Sequence, residues 1–234
     1  MKYKIVVFGV KQSTISLIET FKDDIDLIIT VDDNIKQNNH IAGEGSFSEF
    51  IKTNNIECYS VGDYSLKTCQ DFFNNNEFEM GISYGWQRLI PQYILDRFET
   101  GVFGTHASPL GLPYGKGRSP LNWSIIRGFN QVYFNLFKYV AKADSGMMYS
   151  TVKFEINKWD TIESIKMKDL IVTRTEVCKL INDYKNNSIK LFEQKADIEE
   201  TFFPKRTPKD GKIDLNNDMI DIYNLIRGTT RPFP

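Results

Sequence analysis

The stretch Lys-Ile-Val-Val-Phe-Gly, residues 4–9, opens the regular pattern of this chain. A short apolar run that ends in glycine is typical of a central parallel strand, which is buried on both faces. Similar runs follow at 25–31, 58–61, 78–84 and 101–106, and segments with helical spacing lie between them. Strands that alternate with helices at these intervals predict an α/β fold with a mostly parallel sheet.

The second half of the chain predicts two further strands, 131–140 and 147–156, followed by a long helix over 161–184. After residue 185 the composition shifts towards Asn, Lys and Asp, which indicates a domain boundary there. We therefore expect a core of residues 1–185 and a short C-terminal α/β extension of residues 186–234.

The extension carries its own periodicity. Residues 189–192 predict a short strand. Met219, Ile222, Tyr223 and Ile226 follow the i, i+3, i+4, i+7 spacing of a helix with one apolar face. We expect this face to be buried.

Composition excludes several classes of protein. The 29 basic and 30 acidic residues give a net charge of −1, which argues against a nucleic-acid partner held by phosphate charge. No apolar run approaches the roughly 20 residues of a membrane helix, so we expect no membrane partner. The three cysteines are too irregularly spaced for a disulfide framework or a zinc site, and two histidines are too few for a His-rich metal site. These features predict a reduced, cytoplasmic protein without a metal.

Residues 101–122 are rich in small and turn-forming residues: Gly-Val-Phe-Gly-Thr-His-Ala-Ser-Pro-Leu-Gly-Leu-Pro-Tyr-Gly-Lys-Gly-Arg-Ser-Pro-Leu-Asn. Such a loop allows a ligand to approach the backbone. Ligands of parallel sheets bind at the carboxyl ends of strands, where we expect both His106 and His40. A hydrogen-bonded structural histidine at a strand end is the alternative for His106.

Four segments, taken together, resemble motifs of the formyltransferases that use N10-formyltetrahydrofolate. They are His106-x-Ser108 with Leu112-Pro113-Tyr114-x-x-Gly117-x-x-Pro120; Asp144-Ser145-Gly146; Tyr84-Gly85 with Ile90-Pro91; and the tail from Arg206 to Asp214 with Ile226-Arg227 and Pro232-Phe233-Pro234. The resemblance runs from the first predicted strand to the last residue. It implies a Rossmann-like core.

The resemblance also implies roles for individual residues. His106 would stabilise the oxyanion of the tetrahedral intermediate, and Asp144 would orient His106 and act as the base. Residues expected to contact N10-formyltetrahydrofolate, the formyl donor, are Tyr84, Gly85, Trp86, Ile90, Ser108 and Gly146. Residues expected to contact the second substrate are Gly104, Lys116, Arg118, Ser119 and His40.

The tail motif is similar to that of the branch that formylates nucleotide-linked amino sugars for bacterial surface polysaccharides such as O-antigen. By the same resemblance, we expect the tail to form a homodimer surface. Methionyl-tRNA formyltransferases share the core but carry a further C-terminal domain of about a hundred residues, and we expect no room for it here. The amino-sugar branch is therefore the expectation.

Three positions depart from the motif, one of them Asn135, which stands nine residues before the aspartate where the family usually has Thr. The family has Asn two residues before its His, and this chain has Gly104; Lys116 stands where the family has Arg. Losing an oxyanion donor typically lowers the rate about 10²–10³-fold. Our hypothesis is that the carboxamide of Asn135 takes the place of the missing one.

Several alternatives remain open at this stage. Trp86 stacks on a ligand or packs in the core, and Lys116 with Arg118 grips a diphosphate or is merely solvated. Because of Gly104, the chain could also be a non-catalytic homologue that binds folate or a sugar nucleotide. A third possibility is a formyltetrahydrofolate hydrolase, in which water replaces the amine.

Overall fold

The structure is a computed structural model that describes residues 1–32, 35 and 45–231. Its strands are β1 (Lys2–Phe8), β2 (Leu27–Val31), β3 (Glu57–Val61), β4 (Glu77–Ser83), β5 (Phe98–Ser108), β6 (Lys116–Gly117), β7 (Gln131–Lys138), β8 (Met148–Glu155) and β9 (Phe202–Phe203). Its α-helices are α1 (Gln12–Ile18), α2 (Phe47–Asn54), α3 (Gln70–Asn74), α4 (Gln92–Leu95), α5 (Pro120–Ile126), α6 (Ile162–Lys185) and α7 (Met219–Gly228). Short 3₁₀ helices span Lys22–Asp24 and Pro208–Gly211.

The main sheet has the strand order β3-β2-β1-β4-β5-β7-β8. The pairs from β3 through β5 are parallel, and β7 pairs with β8 in the antiparallel sense. A separate parallel pair joins β6 to β9. The predicted α/β fold with a mostly parallel sheet is therefore confirmed.

The first compact unit comprises Met1–Gly104 and Lys138–Lys142. Its centre is β1, in which Ile5, Val6, Val7 and Phe8 are all buried, as the continuous apolar run predicted. Full burial on both faces explains why this strand does not alternate apolar with polar residues.

The second compact unit comprises Thr105–Phe137 and the chain from Ala143 onward. Buried aliphatic side chains from β7, α5 and α6 form its core: Leu121, Ile125, Val132, Ile162 and Ile165. The division between the units falls within β5, and residues after 185 belong to the second unit. The boundary expected near residue 185 stays a prediction.

Three predicted elements differ from those observed. Between the apolar runs at 78–84 and 101–106, the predicted helical segment is only the short α4, because β5 already begins at Phe98. Between the runs at 58–61 and 78–84, the predicted helical segment forms a helix only from Gln70 onward. In place of the strand expected at 189–192, Phe192 makes an isolated bridge to Met148.

The buried face predicted for α7 is wrong. Met219, Tyr223 and Ile226 are 86%, 40% and 46% exposed, whereas Asn224 and Arg227 are buried. The Arg227 guanidinium makes up for its burial by hydrogen bonding to the Asn224 side chain and to backbone carbonyls. The apolar periodicity thus predicted the helix correctly but not the side that packs.

No helix within the described ranges is both long and apolar enough to cross a membrane.

Candidate active site

The His106 ring lies near the end of β5, between a backbone carbonyl and a carboxylate. Its Nε2–H donates to the Gly115 carbonyl oxygen over 2.8 Å, since that oxygen can only accept. Its Nδ1 lies 3.5 Å from Oδ1 of Asp144. The two side chains are only 7% and 19% exposed. The structure therefore brings together the two residues expected to carry the chemistry, although they lie 38 positions apart in the sequence.

Asp144 occupies a turn that is fixed from several directions. Its backbone has φ +51°, a left-handed conformation that is uncommon for a residue other than glycine. Its Oδ2 accepts a hydrogen bond from the Gly117 N–H at 2.9 Å. The Gln194 side-chain amide donates to the carbonyls of Asp144 and Gly146, at 2.9 and 3.1 Å. These contacts hold the carboxylate beside the imidazole.

Lys116 is buried and already paired. Its Nζ lies 2.6 Å from a carboxylate oxygen of Glu200 and donates to the Ser145 hydroxyl at 2.7 Å. Only 3% of its side chain is exposed. This placement supports the turn that carries Asp144 and is unsuited to gripping a diphosphate. Arg118, two residues on, is exposed.

The signature loop, residues 106–120, is held by hydrogen bonds within itself and to the segment that leads into β9. The Ser108 hydroxyl donates to the Tyr114 carbonyl, so this serine shapes the loop. The Gly115 N–H donates to the Thr201 hydroxyl at 2.9 Å. Ser119 has φ +55° and precedes α5. Glu200 and Thr201 were not found by sequence reasoning, since no local signal links them to a loop more than 80 positions earlier.

Asn135 holds the backbone of His106. Its amide nitrogen donates to the carbonyls of His106 and Tyr133, both at 2.9 Å, and its carbonyl oxygen accepts from Thr151 at 3.3 Å. The side chain is buried, and both amide hydrogens are used. These bonds do not support the hypothesis that Asn135 supplies the missing donor.

Gly104 lies so close to the Tyr139 side chain that no larger residue would fit there. Its φ does not lie in the left-handed region, so another residue could adopt its backbone conformation. A Cβ built there would collide with the hydroxyl and ring carbons of Tyr139. The volume that a side chain at position 104 would fill belongs to that phenol.

In the first unit, the segment expected to line the donor pocket follows β4. The Tyr84 carbonyl accepts from the Thr14 hydroxyl at 2.7 Å, and Gly85 has φ +75°. A cavity of about 690 Å³ is lined by Ile90, Pro91 and neighbours that include Arg88. This volume is within the usual range for small-molecule sites.

Trp86 packs within the core. Its ring is 8% exposed and makes edge contacts with Phe8 and Tyr64, at centroid distances of 6.0 and 4.9 Å. Of the two readings for Trp86, this placement favours packing. Its indole N–H has no hydrogen-bond partner in the described part of the chain.

The remaining sequence expectations concern His40 and metal binding. His40 lies outside the described residues. Within the described ranges, no group of three or more His, Cys, Asp or Glu side chains is arranged to hold a metal ion.

Comparison with known proteins places this geometry in a known fold. No protein-family model matches the sequence. The N-formyltransferase from Helicobacter canadensis, solved in complex with folinic acid and dTDP-3-aminofucose, superposes with a TM-score of 0.71, covering 96% of this chain and 79% of that chain at 18% identity. The chain has the formyltransferase fold. A 4-N formyltransferase from Francisella tularensis has the same fold at TM-score 0.70, with 16% identity over 98% of this chain and 89% of that one.

One curated protein is also similar to this chain in sequence. The bifunctional polymyxin resistance protein ArnA of Wigglesworthia glossinidia brevipalpis is 31% identical over 164 residues, or 70% of this chain. The chain spans a quarter of the length of that relative, since the match covers 25% of it. His106 and Asp144 belong to the two motifs, His106-x-Ser108 and Asp144-Ser145-Gly146, that resemble those of the formyltransferases.

Proposed function

We propose that this chain transfers a formyl group from N10-formyltetrahydrofolate to the amino group of a nucleotide-linked amino sugar. The observation that carries the proposal is the contact between His106 and Asp144, 3.5 Å apart and beside the signature loop. The ligands of the Helicobacter canadensis protein, folinic acid and dTDP-3-aminofucose, support both the donor and the class of acceptor.

The reaction needs one bond to form and one to break. The sugar amine bonds to the formyl carbon, the bond from that carbon to the donor nitrogen breaks, and the proton lost by the amine ends on that nitrogen. Asp144 accepts the amine proton, directly or through water, and returns it to the leaving nitrogen. His106 donates to the oxygen that gains negative charge in between.

His106 has to change its hydrogen bonding to perform this role. Its Nε2–H is directed at the Gly115 carbonyl, so the formyl oxygen must share or take over that hydrogen. Gly115 has φ +71° in a loop rich in glycine, which suits a small adjustment of the backbone. Asp144 faces Nδ1 and keeps the ring oriented while this exchange occurs.

The residues present fit a folate-sized donor. The cavity of about 690 Å³ combines aliphatic side chains, Leu89 and Ile90, with polar groups on Ser65 and Arg88. Such a mixture suits a flat heterocycle with polar edges. Ile90 thus keeps its proposed role in donor binding, alongside the backbone at Tyr84 and Gly85.

For the acceptor, Arg118 is the better cation for a nucleotide diphosphate, because it is exposed whereas Lys116 is buried against Glu200. The sugar product would serve surface polysaccharide synthesis. The unevenly spaced cysteines support a cytoplasmic location for the reaction.

A homodimer is the second part of the proposal. The apolar side chains that α7 exposes form a row that a second copy would cover: Met219, Ile220, Tyr223 and Ile226. Leu215, in the segment before α7, is also 85% exposed. Exposed apolar patches of this kind mark association surfaces.

The test of the proposed function is an assay with N10-formyltetrahydrofolate and a panel of nucleotide-linked amino sugars, following tetrahydrofolate release and product mass. We expect one panel member to gain one formyl group. Donor breakdown that is independent of any sugar would identify a hydrolase. Folate-induced thermal stabilisation without turnover would identify a binding homologue.

A further inference from the structure

Gly115, whose carbonyl accepts from the His106 ring, does not hold its own conformation. Its φ of +71° lies in the left-handed region, and glycine moves between backbone regions more freely than any other residue. A Cβ at this position would approach the Phe203 ring to 2.7 Å, so a stiffer residue does not fit there. The conformation of Gly115 must therefore be fixed by contacts from outside the turn.

Thr201 makes contacts of this kind with both peptide units that meet at Gly115. In the first unit, the Gly115 N–H donates to the Thr201 hydroxyl at 2.9 Å. In the second, the Lys116 N–H donates to the Thr201 carbonyl, also at 2.9 Å. The second unit contains the Gly115 carbonyl, which accepts from the His106 Nε2–H at 2.8 Å. Because peptide units are planar, holding both of them fixes the direction of that carbonyl.

Strand β5 holds the same two peptide units through their carbonyls. The Ser108 hydroxyl donates to the Tyr114 carbonyl of the first unit, and His106 donates to the carbonyl of the second. His106 and Ser108 are two positions apart on β5, so their side chains lie on the same face of the strand. The turn is thus held between β5 on its carbonyl side and Thr201 on its N–H side.

We propose that Thr201 is a positioning residue for formyl transfer: its hydroxyl holds the Gly115 backbone, and the Gly115 carbonyl in turn orients the Nε2–H of His106. This inference rests on the proposed function, in which the formyl oxygen shares that hydrogen or takes it over. Thr201 acts through Gly115 and does not touch either substrate. Its bonds limit how far the turn moves while the hydrogen is shared.

The effect on His106 can be measured without any substrate. The chain has two histidines, so ¹⁵N-histidine labelling gives two ring systems in the NMR spectrum, and His106→Ala shows which signals belong to His106. We expect Thr201→Val to speed the exchange of the His106 Nε2 proton with water about 2–10-fold, the factor that corresponds to one ordinary hydrogen bond. Thr201→Ser, which keeps the hydroxyl, should restore the wild-type rate. A wild-type proton that exchanges no more slowly than that of Thr201→Val overturns the inference.

The kinetic test uses the same variants. We expect Thr201→Val to lower kcat about 10–100-fold and to change the KM for both substrates less than about threefold, because a misplaced catalytic group slows the chemical step. Thr201→Ala, which removes the hydroxyl without adding a methyl group in its place, should behave like Thr201→Val, whereas Thr201→Ser should keep most of the wild-type kcat. Thr175→Val is the matched control, because Thr175 is exposed on α6 and its hydroxyl bonds within its own helix.

The two measurements separate failure of this inference from failure of the proposed function. A wild-type protein that formylates no acceptor, with faster proton exchange in Thr201→Val, overturns the proposed function but leaves the hold of Thr201 on His106 in place. An active wild-type enzyme whose kcat and proton exchange are unaffected by Thr201→Val overturns the inference alone. Equal losses of kcat in Thr201→Val and Thr201→Ser also overturn it, because the hydroxyl would then not be the group that matters.

Discussion

His106 and Asp144 form the residue pair from which the proposed chemistry starts, and their surroundings do most of the positioning. The Gly115 carbonyl fixes one ring nitrogen and the carboxylate faces the other. The predicted roles of this pair depend on orientation, which the Gly115 carbonyl fixes for the His106 ring and the Gly117 N–H fixes for the Asp144 carboxylate.

Replacing His106 with Ala removes the oxyanion donor. We expect kcat to fall about 10²–10³-fold while folate binding, followed by thermal shift, persists. Asp144→Asn should lower kcat by about 10²–10⁴, the range usual for general acid–base catalysis. Normal turnover in either variant would remove that residue from the mechanism.

Asn135→Ala should behave differently from His106→Ala. It leaves the buried His106 carbonyl without its side-chain donor, at a cost of about 1–3 kcal/mol in the free energy of unfolding. We expect a lower midpoint in chemical denaturation and a smaller loss of kcat than for His106→Ala. Thr151→Val is the matched control, because it removes only the 3.3 Å contact to the same carboxamide. A stable variant as inactive as His106→Ala would return Asn135 to the catalytic set.

At the scale of elements, the C-terminal segment is part of the site's framework. The parallel pair of β6 and β9 brings Glu200 to Lys116, and Gln194 reaches the turn at Asp144. Residues of the C-terminal extension therefore help to position the loop and the turn that form the candidate site.

Glu200→Gln tests this framework. The change keeps the shape of the side chain but leaves the buried Lys116 ammonium without its anionic partner. We expect a lower melting temperature and a kcat reduced about tenfold or more, since small displacements of catalytic groups are costly. Glu199→Gln, at the exposed neighbouring position, should change neither; equal effects in both variants would contradict the specific pairing.

The start of α6 offers a test of pH dependence. Burial alone would raise the pKa of Asp160, but hydrogen bonds from Lys168, the Asn157 N–H and Ser164 hold that pKa below its ordinary value. Its ionised form therefore stabilises the fold above pH ~4, and the contribution is lost as the pH falls through the lowered pKa.

Asp160→Asn should consequently destabilise the protein at pH 7, by about 1.5–3 kcal/mol at most. The difference from wild type should shrink in acid, as measured by urea denaturation across pH. Glu163→Gln, exposed in the first turn of α6, is the control. A difference that does not depend on pH would show that the Asp160 charge does not matter.

At the scale of the whole molecule, the α7 surface carries the proposed dimer. Met219→Glu with Ile220→Glu places two charges in the exposed apolar row and should give a monomer by analytical ultracentrifugation. Wild-type protein should sediment at twice the chain mass of 27.1 kDa. Asn217→Glu, a polar position before the helix, is the control. A wild-type monomer would contradict the dimer.

Sequence reasoning predicted what depends on local pattern. The continuous apolar run at β1 predicted a buried parallel strand, and the motif resemblance brought His106 and Asp144 together. It did not predict that Tyr139 fills the space at Gly104, or that Lys116 pairs with Glu200 84 positions later. Those contacts depend on how strands and loops pack, which neither periodicity nor motif spacing encodes.

The α7 error has the same origin. An apolar stripe on a helix shows which side chains would gain by burial, but it does not show which surface, if any, will bury them. In α7 the face that packs against the rest of the chain carries Asn224 and Arg227, whose polar groups are hydrogen-bonded. The apolar face of the helix therefore stays exposed.

The central claim is tested most directly with a donor whose formyl carbon is ¹³C-labelled, mixed with the nucleotide-linked amino sugar that the panel identifies. We predict that the sugar gains one labelled formyl group per molecule and that His106→Ala slows this gain about 10²–10³-fold. Release of labelled formate at the same rate with and without the sugar, and no label on the sugar, would contradict the account.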